Sequence, residues 1–320
     1  MLETSKGINV LSLFDGMSCG QIALDKLGIK VDNYFASEID KYAIQVTQKN
    51  YPNTKQIGSV VDVRGEDLPK IDLLFGGSPC QSFSRAGDGS GFDGKSKLFW
   101  EFVRVLKEVK PKYFLLENVV MKKEWEDIIT DELRVSPIKI NSSLVSAQNR
   151  NRLYWTNIPN IEQPKDKEVY LQDILFEFVE DKYFLTDKGT SYITNNDRLK
   201  KKFTALNGDK SLTLMSQYNQ SKNGTFLCVD GNGRIDTKKT GTLTQRYYKG
   251  VENYGSNPFI LSNHRFRKLT PVECERLQNV PENYTDSVSD TQRYKMLGNG
   301  WTVDVIAHIF KNLKTDADVK

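Results

Sequence analysis

INVLSLFDGMSCG, residues 8–20, decides how the first half of this chain folds. Val10–Phe14 is an apolar run typical of a buried strand, and Gln21–Leu27 carries apolar residues at helical spacing. The loop between them is built from small residues, so its backbone can approach a ligand closely at the start of a helix. The stretch predicts a strand, a tight loop and a helix, and by itself it also fits a purely structural turn.

The same alternation of strand and helix patterns continues to about residue 160. Further strands are predicted at Asn33–Ser37, Gly58–Val63, Ile71–Phe75, Tyr113–Leu116, Ile138–Val145 and Leu153–Asn157. Helices are predicted at Asp40–Asn50, Ser96–Val109 and Trp125–Leu133, with Asp40 as an N-cap. This rhythm predicts an α/β fold with a mostly parallel, doubly wound sheet, which binds ligands beyond the carboxyl ends of its strands.

The composition of the sequence changes after Pro164. Short β-like segments rich in Gly, Asn, Thr and Lys predict a small, irregular β domain. The stretch from Lys182 to Lys268 holds sixteen Lys and Arg against six Asp and Glu, whereas the rest of the chain is mildly acidic. A basic segment of this kind suits a polyanion partner, although a solvated basic face fits the charge equally well.

The helical pattern returns from Leu269. Thr270-Pro271 followed by Glu273 is a helix start, and Thr302–Leu313 reads as a final amphipathic helix. We therefore expect a catalytic domain at 1–164, completed by 265–320, and a separate domain at 165–264.

Composition excludes several classes of protein. Of 320 residues, 38% are hydrophobic and 27% are charged, which suits a soluble globular chain. No apolar run approaches the roughly 20 residues that span a bilayer, and no signal peptide is recognised. The four cysteines lie far apart and only two histidines are present, so neither a zinc site nor any other metal is expected. These features predict a cytoplasmic protein.

Two predicted strand ends carry residues that suggest a ligand. Glu38 follows the second strand, where a carboxylate can accept both ribose hydroxyls of a nucleoside. The first loop is not a GxGxxG fingerprint, so an adenosyl ligand without a pyrophosphate fits better. Cys80 follows the fourth strand in Gly76-Gly77-Ser78-Pro79-Cys80-Gln81 and is well placed as a nucleophile, although a cysteine is more often inert.

Two further segments carry charge toward the same crevice. Glu117 ends the fifth strand, and alternation places Arg150 and Arg152 on one face of an extended segment. Two guanidinium groups suit a carbonyl, a carboxylate or a phosphate. A solvated charge and an ordinary surface salt bridge are the plain alternatives.

Taken in order, FDGxxxG, Glu38, SPCQ, ENV, QxRxR, RKLTPVECERLQNVPENYT and LGNGWTVDVIAHI resemble the DNA cytosine-5 methyltransferase family from end to end. The resemblance covers about residues 8–160 and 265–312, and the basic gap between them is where the family has its target-recognition domain. FDGMSCG in place of FAGxGG, together with Trp301, resembles the animal de novo branch. Thr242-Leu243 resembles a pair found in bacterial enzymes, so a prokaryotic or phage source is expected.

The resemblance implies a class I, Rossmann-like methyltransferase fold, S-adenosylmethionine (SAM) as cofactor and S-adenosylhomocysteine (SAH) as product. It implies catalytic roles for Cys80, Glu117, Arg150 and Arg152. The implied cofactor contacts are Phe14, Asp15, Gly16, Met17, Glu38, Ile39, Asp62, Val63, Pro79, Leu98, Asn299, Gly300 and Trp301. The implied DNA contacts are Gln81, Ser82, Ser84, Arg85, Asn118, Thr242, Leu243, Gln245 and Arg246.

The implied substrate is double-stranded DNA, from which a cytosine is flipped out, methylated at carbon 5 and released. We further expect a monomer that associates with the nucleoid through DNA and has a cognate restriction endonuclease in the host. A tRNA cytosine-5 methyltransferase is an alternative, although SPCQ and a large recognition segment favour DNA. A catalytically inactive relative would lack the cysteine, the glutamate or the loop, and a dinucleotide-dependent oxidoreductase would carry GxGxxG.

Overall fold

The computed structural model describes residues 6–79, 98–187, 189–190, 204–206, 209–214, 216, 218, 224–229 and 265–314. No helix among these residues is both long enough and apolar enough to cross a membrane.

A seven-stranded sheet forms the centre of the described chain. Its strands are β1 (Ile8–Leu13), β2 (Val31–Ser37), β3 (Lys55–Gln56), β4 (Leu73–Gly76), β5 (Tyr113–Val119), β6 (Ile138–Asn141) and β7 (Asn151–Thr156). The strand order is β3-β2-β1-β4-β5-β7-β6, and only β7 runs antiparallel to its neighbours. The predicted α/β fold with a mostly parallel sheet is confirmed.

Helices cover both faces of this sheet. They are α1 (Cys19–Lys26), α2 (Lys41–Asn50), α3 (Leu98–Val109), α4 (Lys123–Leu133), α5 (Pro271–Leu277), α6 (Asp290–Asn299) and α7 (Val303–Phe310). Alternate residues of β1 point to opposite faces, so Val10 joins one buried cluster with α1 and α7, whereas Leu11 joins another with α3 and α4. Residues after 265 therefore complete one of the two buried clusters that cover the sheet.

The prediction of a strand at Gly58–Val63 is wrong. The strand of this region is the two-residue β3, and the chain then turns at Gly58, whose φ is +77°. Val60 and Val63 are buried, which explains the strand-like pattern, but their carbonyls accept hydrogen bonds from the Arg104 guanidinium at 3.0 and 2.9 Å. An arginine side chain replaces the neighbouring strand that would otherwise satisfy this backbone.

The prediction of a strand at Ile138–Val145 is right only for its first half. β6 stops at Asn141, whose side-chain oxygen accepts from Ser143 N at 3.1 Å and from Arg150 N at 2.9 Å. A short 3₁₀ helix, Ser142–Leu144, follows. Asparagine favours such turns because its side chain competes with the sheet for backbone donors.

The predicted start of α5 is confirmed as a capping box. The Thr270 hydroxyl accepts from Glu273 N at 3.2 Å, and the Glu273 carboxylate accepts from Thr270 N at 2.7 Å.

A small second sheet precedes α5 in the chain. It consists of β8 (Thr204–Leu206), β9 (Gly224–Val229) and β10 (Arg265–Arg267), in the order β10-β9-β8. The β-like segments at 233–237 and 241–248 lie outside the described residues.

A buried ion pair joins the small sheet to α5. Arg267 donates to both oxygens of Glu273 at 2.8 Å, and both residues are almost inaccessible to solvent. Oε1 of Glu273 also accepts from Phe176 N at 2.8 Å. One carboxylate thus holds β10, α5 and a loop of the intervening segment together.

We expect Arg267→Met to lower the free energy of unfolding by about 3–5 kcal/mol, because it leaves the Glu273 carboxylate buried without its cation. Arg265→Met, on the same strand but half exposed in its pair with Asp181, should cost about 1 kcal/mol or less. Urea unfolding followed by tryptophan fluorescence measures both. Equal losses for the two variants would contradict the role given to the buried pair.

Candidate active site

A cavity of about 370 Å³ lies at the carboxyl ends of the central strands. Phe14 follows β1, Glu38 follows β2, Gly77 follows β4 and Glu117 lies near the end of β5, and all four line it. Its volume falls within the roughly 300–1,000 Å³ of typical small-molecule sites. Its position is the one that the topology of a parallel sheet predicts.

Most of the candidate site residues lie on the wall of this cavity. They are Phe14, Asp15, Gly16, Glu38, Ile39, Pro79, Leu98, Glu117, Asn118, Arg150, Arg152, Asn299, Gly300 and Trp301. Nine candidates lie outside the described residues: Cys80, Gln81, Ser82, Ser84, Arg85, Thr242, Leu243, Gln245 and Arg246. Pro79 is described, so the wall reaches the residue directly before Cys80.

Three candidate cofactor residues do not line the cavity. Met17 is buried beneath the first loop, where its carbonyl accepts from the Tyr284 hydroxyl at 2.8 Å, and Val63 packs in a core cluster. Asp62 is exposed in the turn after β3. Ser59 and Val60 line the cavity instead.

Placing the strand at Lys55–Gln56 would have pointed to Ser59 and Val60, because ligand contacts follow a strand end. Sequence reasoning also missed Gln292, Lys295 and Met296, which line the cavity from one face of α6.

The first loop is held against the end of β2. Phe14 and Gly16 both adopt left-handed backbone conformations, with φ of +58°. Asp15 N donates to the Ser37 carbonyl at 3.2 Å, and Gly16 N donates to the Glu38 carboxylate at 2.8 Å. A left-handed phenylalanine is unusual and is found where surrounding contacts impose it, often at functional sites. Here it turns the chain sharply over the cavity.

The Glu38 carboxylate is fixed by three backbone donors. Besides Gly16 N, the amides of Ile39 and Asp40 donate to it at 2.7 and 2.8 Å. The side chain therefore has one orientation, and about one acceptor site remains free on Oε2, which among the described residues accepts only from Gly16 N, because a carboxylate has about four such sites.

Asp15 is a partly buried acid within the first loop. It accepts from the Tyr34 hydroxyl at 2.7 Å and from the Ser18 hydroxyl. Burial raises the pKa of Asp15 to about 6, even though hydrogen bonds from Ser12, Ser18 and Tyr34 favour its charged form. Near neutral pH this carboxylate carries its charge against a cost of desolvation.

Glu117 is held by two donors, one on each oxygen. Arg152 Nε lies 2.9 Å from Oε1, and the Trp301 indole nitrogen donates to Oε2 at 3.0 Å. The Glu117 side chain is only 10% exposed and the Arg152 side chain 14%, so the pair is shielded from solvent. A carboxylate and a guanidinium are thus fixed side by side on the cavity wall.

Arg150 lines the same cavity, and its guanidinium donates to backbone carbonyls. Its guanidinium donates to Gly300 O at 2.9 Å, to Gly298 O at 3.3 Å and to Leu214 O at 3.1 Å. It therefore fixes the end of α6 and the segment that carries Trp301. Alternation along the chain predicted that Arg150 and Arg152 lie on one face, and both side chains do line one cavity.

The charges of the cavity suit a cationic adenosyl compound. Four carboxylates line it, those of Asp15, Glu38, Asp40 and Glu117, together with three cations. Lys295 pairs with Asp40, Arg152 pairs with Glu117, and the Arg150 guanidinium donates to backbone carbonyls. The remaining excess of one negative charge favours a sulfonium or an ammonium group over a pyrophosphate. The apolar side chains that line the cavity beside them can contact an adenine ring.

Fold and site together define a SAM-dependent methyltransferase. The family model for C-5 cytosine-specific DNA methylases matches residues 8–315. The chain therefore belongs to that family, and the enzyme is a DNA cytosine-5-methyltransferase.

Type II methyltransferases are among the similar proteins. M1.ScrFI of Lactococcus lactis subsp. cremoris is 32% identical over 95% of this chain and 77% of its own length. M.NlaX of Neisseria lactamica is 30% identical over 95% of this chain and 96% of its own length. The solved structure of the Entamoeba histolytica methyltransferase EhMeth superposes with a TM-score of 0.72 at 18% identity, covering 97% of this chain and 100% of that one.

The partly buried Asp15 predicts a pH-dependent stability. Because its pKa is about 6 in the folded protein and the usual value is 3.8, the folded state holds more protons between these values. Its contribution to stability therefore falls as pH rises from about 4 to 6 and then stays constant.

Asp15→Asn removes this loss. The difference in the free energy of unfolding between the variant and the unmodified protein should therefore shift by about 2 kcal/mol in favour of the variant as pH rises from about 4.5 to about 7.5. Urea unfolding at the two pH values measures it. The exposed Asp67→Asn is the control and should show no such gain. A pH-independent difference for Asp15→Asn would refute the buried charge.

Proposed function

We propose that this enzyme methylates carbon 5 of a cytosine flipped out of a specific double-stranded DNA sequence, through a covalent Cys80 adduct at carbon 6. The observation that carries the proposal is the pairing of Glu117 with Arg152 in the cavity that Glu38 also lines. A flipped base presents its N3 and amino edge beside its O2 edge. An acceptor and a guanidinium at adjacent places match those two edges.

Carbon 5 of cytosine is a poor nucleophile because the ring is aromatic and electron-poor. In the proposed mechanism the Cys80 thiolate adds to carbon 6, and the electron pair of the double bond moves to carbon 5. Glu117 hydrogen-bonds the exocyclic amine and N3, which favours protonation of N3 as the adduct forms. Arg152 holds O2. Arg150 supports this arrangement through the carbonyls of 298–300.

Bound SAM supplies an electrophilic methyl group on its sulfonium. Carbon 5 takes this methyl group, a base then removes the carbon 5 proton, and Cys80 leaves from carbon 6 to restore the aromatic ring. The target base must leave the stack to be reached from both faces, so base flipping is part of the proposal.

The lining of the cavity supports a role for several residues in holding the cofactor. Glu38 would accept from the ribose, the backbone of Asp15–Met17 would contact the methionine portion, and Phe14 would contact the adenine. Ser59 and Val60, in place of Asp62 and Val63, would contact the adenine edge, and Leu98 would contact its face, since all three line the cavity. Asn299, Gly300 and Trp301 close the opposite wall.

The recognition of DNA is assigned to residues 165–264 and to the loop after Pro79. The charge of the segment from Lys182 to Lys268, sixteen basic against six acidic residues, supports this assignment. The candidate contacts are Gln81, Ser82, Ser84, Arg85, Asn118, Thr242, Leu243, Gln245 and Arg246. The similarity to type II methyltransferases supports a role beside a restriction endonuclease. We also propose that the enzyme is a monomer and that it associates with the nucleoid through DNA.

Cys80→Ser should abolish methyl transfer, with a loss of at least about 1,000-fold, because a neutral hydroxyl adds poorly to carbon 6. DNA binding in a gel-shift assay should persist. Cys228→Ser, a cysteine outside the SPCQ motif, is the matched control. The rate of transfer of tritiated methyl from SAM to DNA is measured for the unmodified enzyme and for both variants. A normal rate for Cys80→Ser would refute the proposed mechanism.

Exchanging residues 165–262 for the equivalent segment of a family member with a different target should change the methylated sequence. Bisulfite sequencing of DNA from cells that express each protein reads activity and target together. An unchanged target in the chimera would refute the assignment of the recognition domain. Methylation found in RNA and not in DNA would refute the proposed substrate.

A further inference from the structure

The indole of Trp301 contacts Glu117, not only the cofactor cavity. Its N–H donates to Oε2 of Glu117 at 3.0 Å, while Arg152 occupies Oε1 at 2.9 Å. The two donors fix both ends of the carboxylate and so fix its plane. Trp301 lies 184 residues from Glu117, in the segment that follows α6.

The surroundings of this hydrogen bond are shaped to keep it. The Trp301 ring packs on Phe75 with centroids 5.7 Å apart, and Arg150 holds the preceding carbonyl, Gly300 O, at 2.9 Å. A side chain at Gly77 would place its Cβ 3.0 Å from the indole nitrogen and 3.1 Å from Oε2. Glycine at 77 therefore leaves the space that the pair needs.

From this geometry we infer that Trp301 is a positioning residue, which holds the Glu117 carboxylate in the orientation that contacts the cytosine. Its role is then not limited to the cofactor. The inference rests on the proposed function, in which Glu117 contacts the amine and N3 of the target base. A carboxylate held at both oxygens meets that edge in one orientation. Without the indole, Oε2 can rotate away about the remaining contact with Arg152.

Trp301→Phe keeps an aromatic ring against Phe75 and removes only the donor. We expect kcat at saturating SAM to fall about tenfold, in line with the loss of one hydrogen bond to a charged group. The dissociation constant for SAH should change less than twofold. Trp100→Phe, on the outer side of α3, is the matched control and should keep the original kcat.

A second readout separates the glutamate from methyl transfer. With SAH in place of SAM, the adduct at carbon 6 can exchange the carbon 5 hydrogen with water, so unmethylated bacterial genomic DNA carrying tritium at cytosine carbon 5 releases that label. This release should fall in Trp301→Phe by the same factor as kcat. Gly77→Ala, whose methyl group meets the hydrogen-bonded pair, should show the same signature with SAH binding retained.

Rates of methylation and tritium release equal to those of the unmodified enzyme would overturn the inference. A loss confined to the KM for SAM or to SAH binding would also overturn it, because Trp301 would then be a cofactor contact alone. Absence of methylation and release in the unmodified enzyme would instead refute the proposed function, and the inference with it. Normal activity of that enzyme alongside an unaffected Trp301→Phe refutes only the positioning role.

Discussion

The antiparallel direction of β7 is the constraint on which the site depends. Parallel strands present their carboxyl ends at one edge of a sheet, and an antiparallel strand presents its beginning there. Arg152 lies near the start of β7, and Val119 at the end of β5 is its partner in register. The Arg152 side chain can therefore reach Glu117, two residues back along β5. With β7 parallel, the same arginine would lie at the opposite edge.

A second requirement is the return of the chain after residue 265. The α6 helix and the segment 298–301 form one wall of the cavity, and α7 packs on α1 directly behind the first loop. Asp304 strengthens this attachment, because it is nearly buried and pairs with Lys26 and Lys167. The wall is thus tied both to α1, through Lys26, and to the chain that follows β7, through Lys167. Its position depends on the whole core and not on a local turn.

Most of the sheet could be predicted from the sequence, because buried strands and amphipathic helices leave patterns of apolar residues. The error at Gly58–Val63 shows the limit of that signal. Apolar spacing reports which side chains are buried, and Val60 and Val63 are indeed buried, but it does not report what binds their carbonyls. Arg104, some forty residues further on, does so, and no local pattern indicates it.

The site was predictable to a similar extent. Family motifs brought Glu38, Glu117 and both arginines to one cavity, because each motif follows or begins a strand at the same edge. The partners of those residues were not predictable. The indole donor to Glu117 and the carbonyl acceptors of Arg150 depend on contacts between segments that are from 64 to 184 residues apart. Motifs indicate which residue types meet, whereas the direction of each hydrogen bond requires the packed structure.

The distribution of charge separates two tasks in this enzyme. Four carboxylates and three cations line the cavity, so its excess of one negative charge favours a neutral base and a cationic cofactor over a phosphate. The backbone of DNA must then be held elsewhere, and the chain has its excess of Lys and Arg between Lys182 and Lys268. If one nucleotide is to reach Glu117 while its neighbouring phosphates stay on a basic surface, that nucleotide must leave the helix. This distribution of charge supports the proposal that the target base is flipped out of the helix.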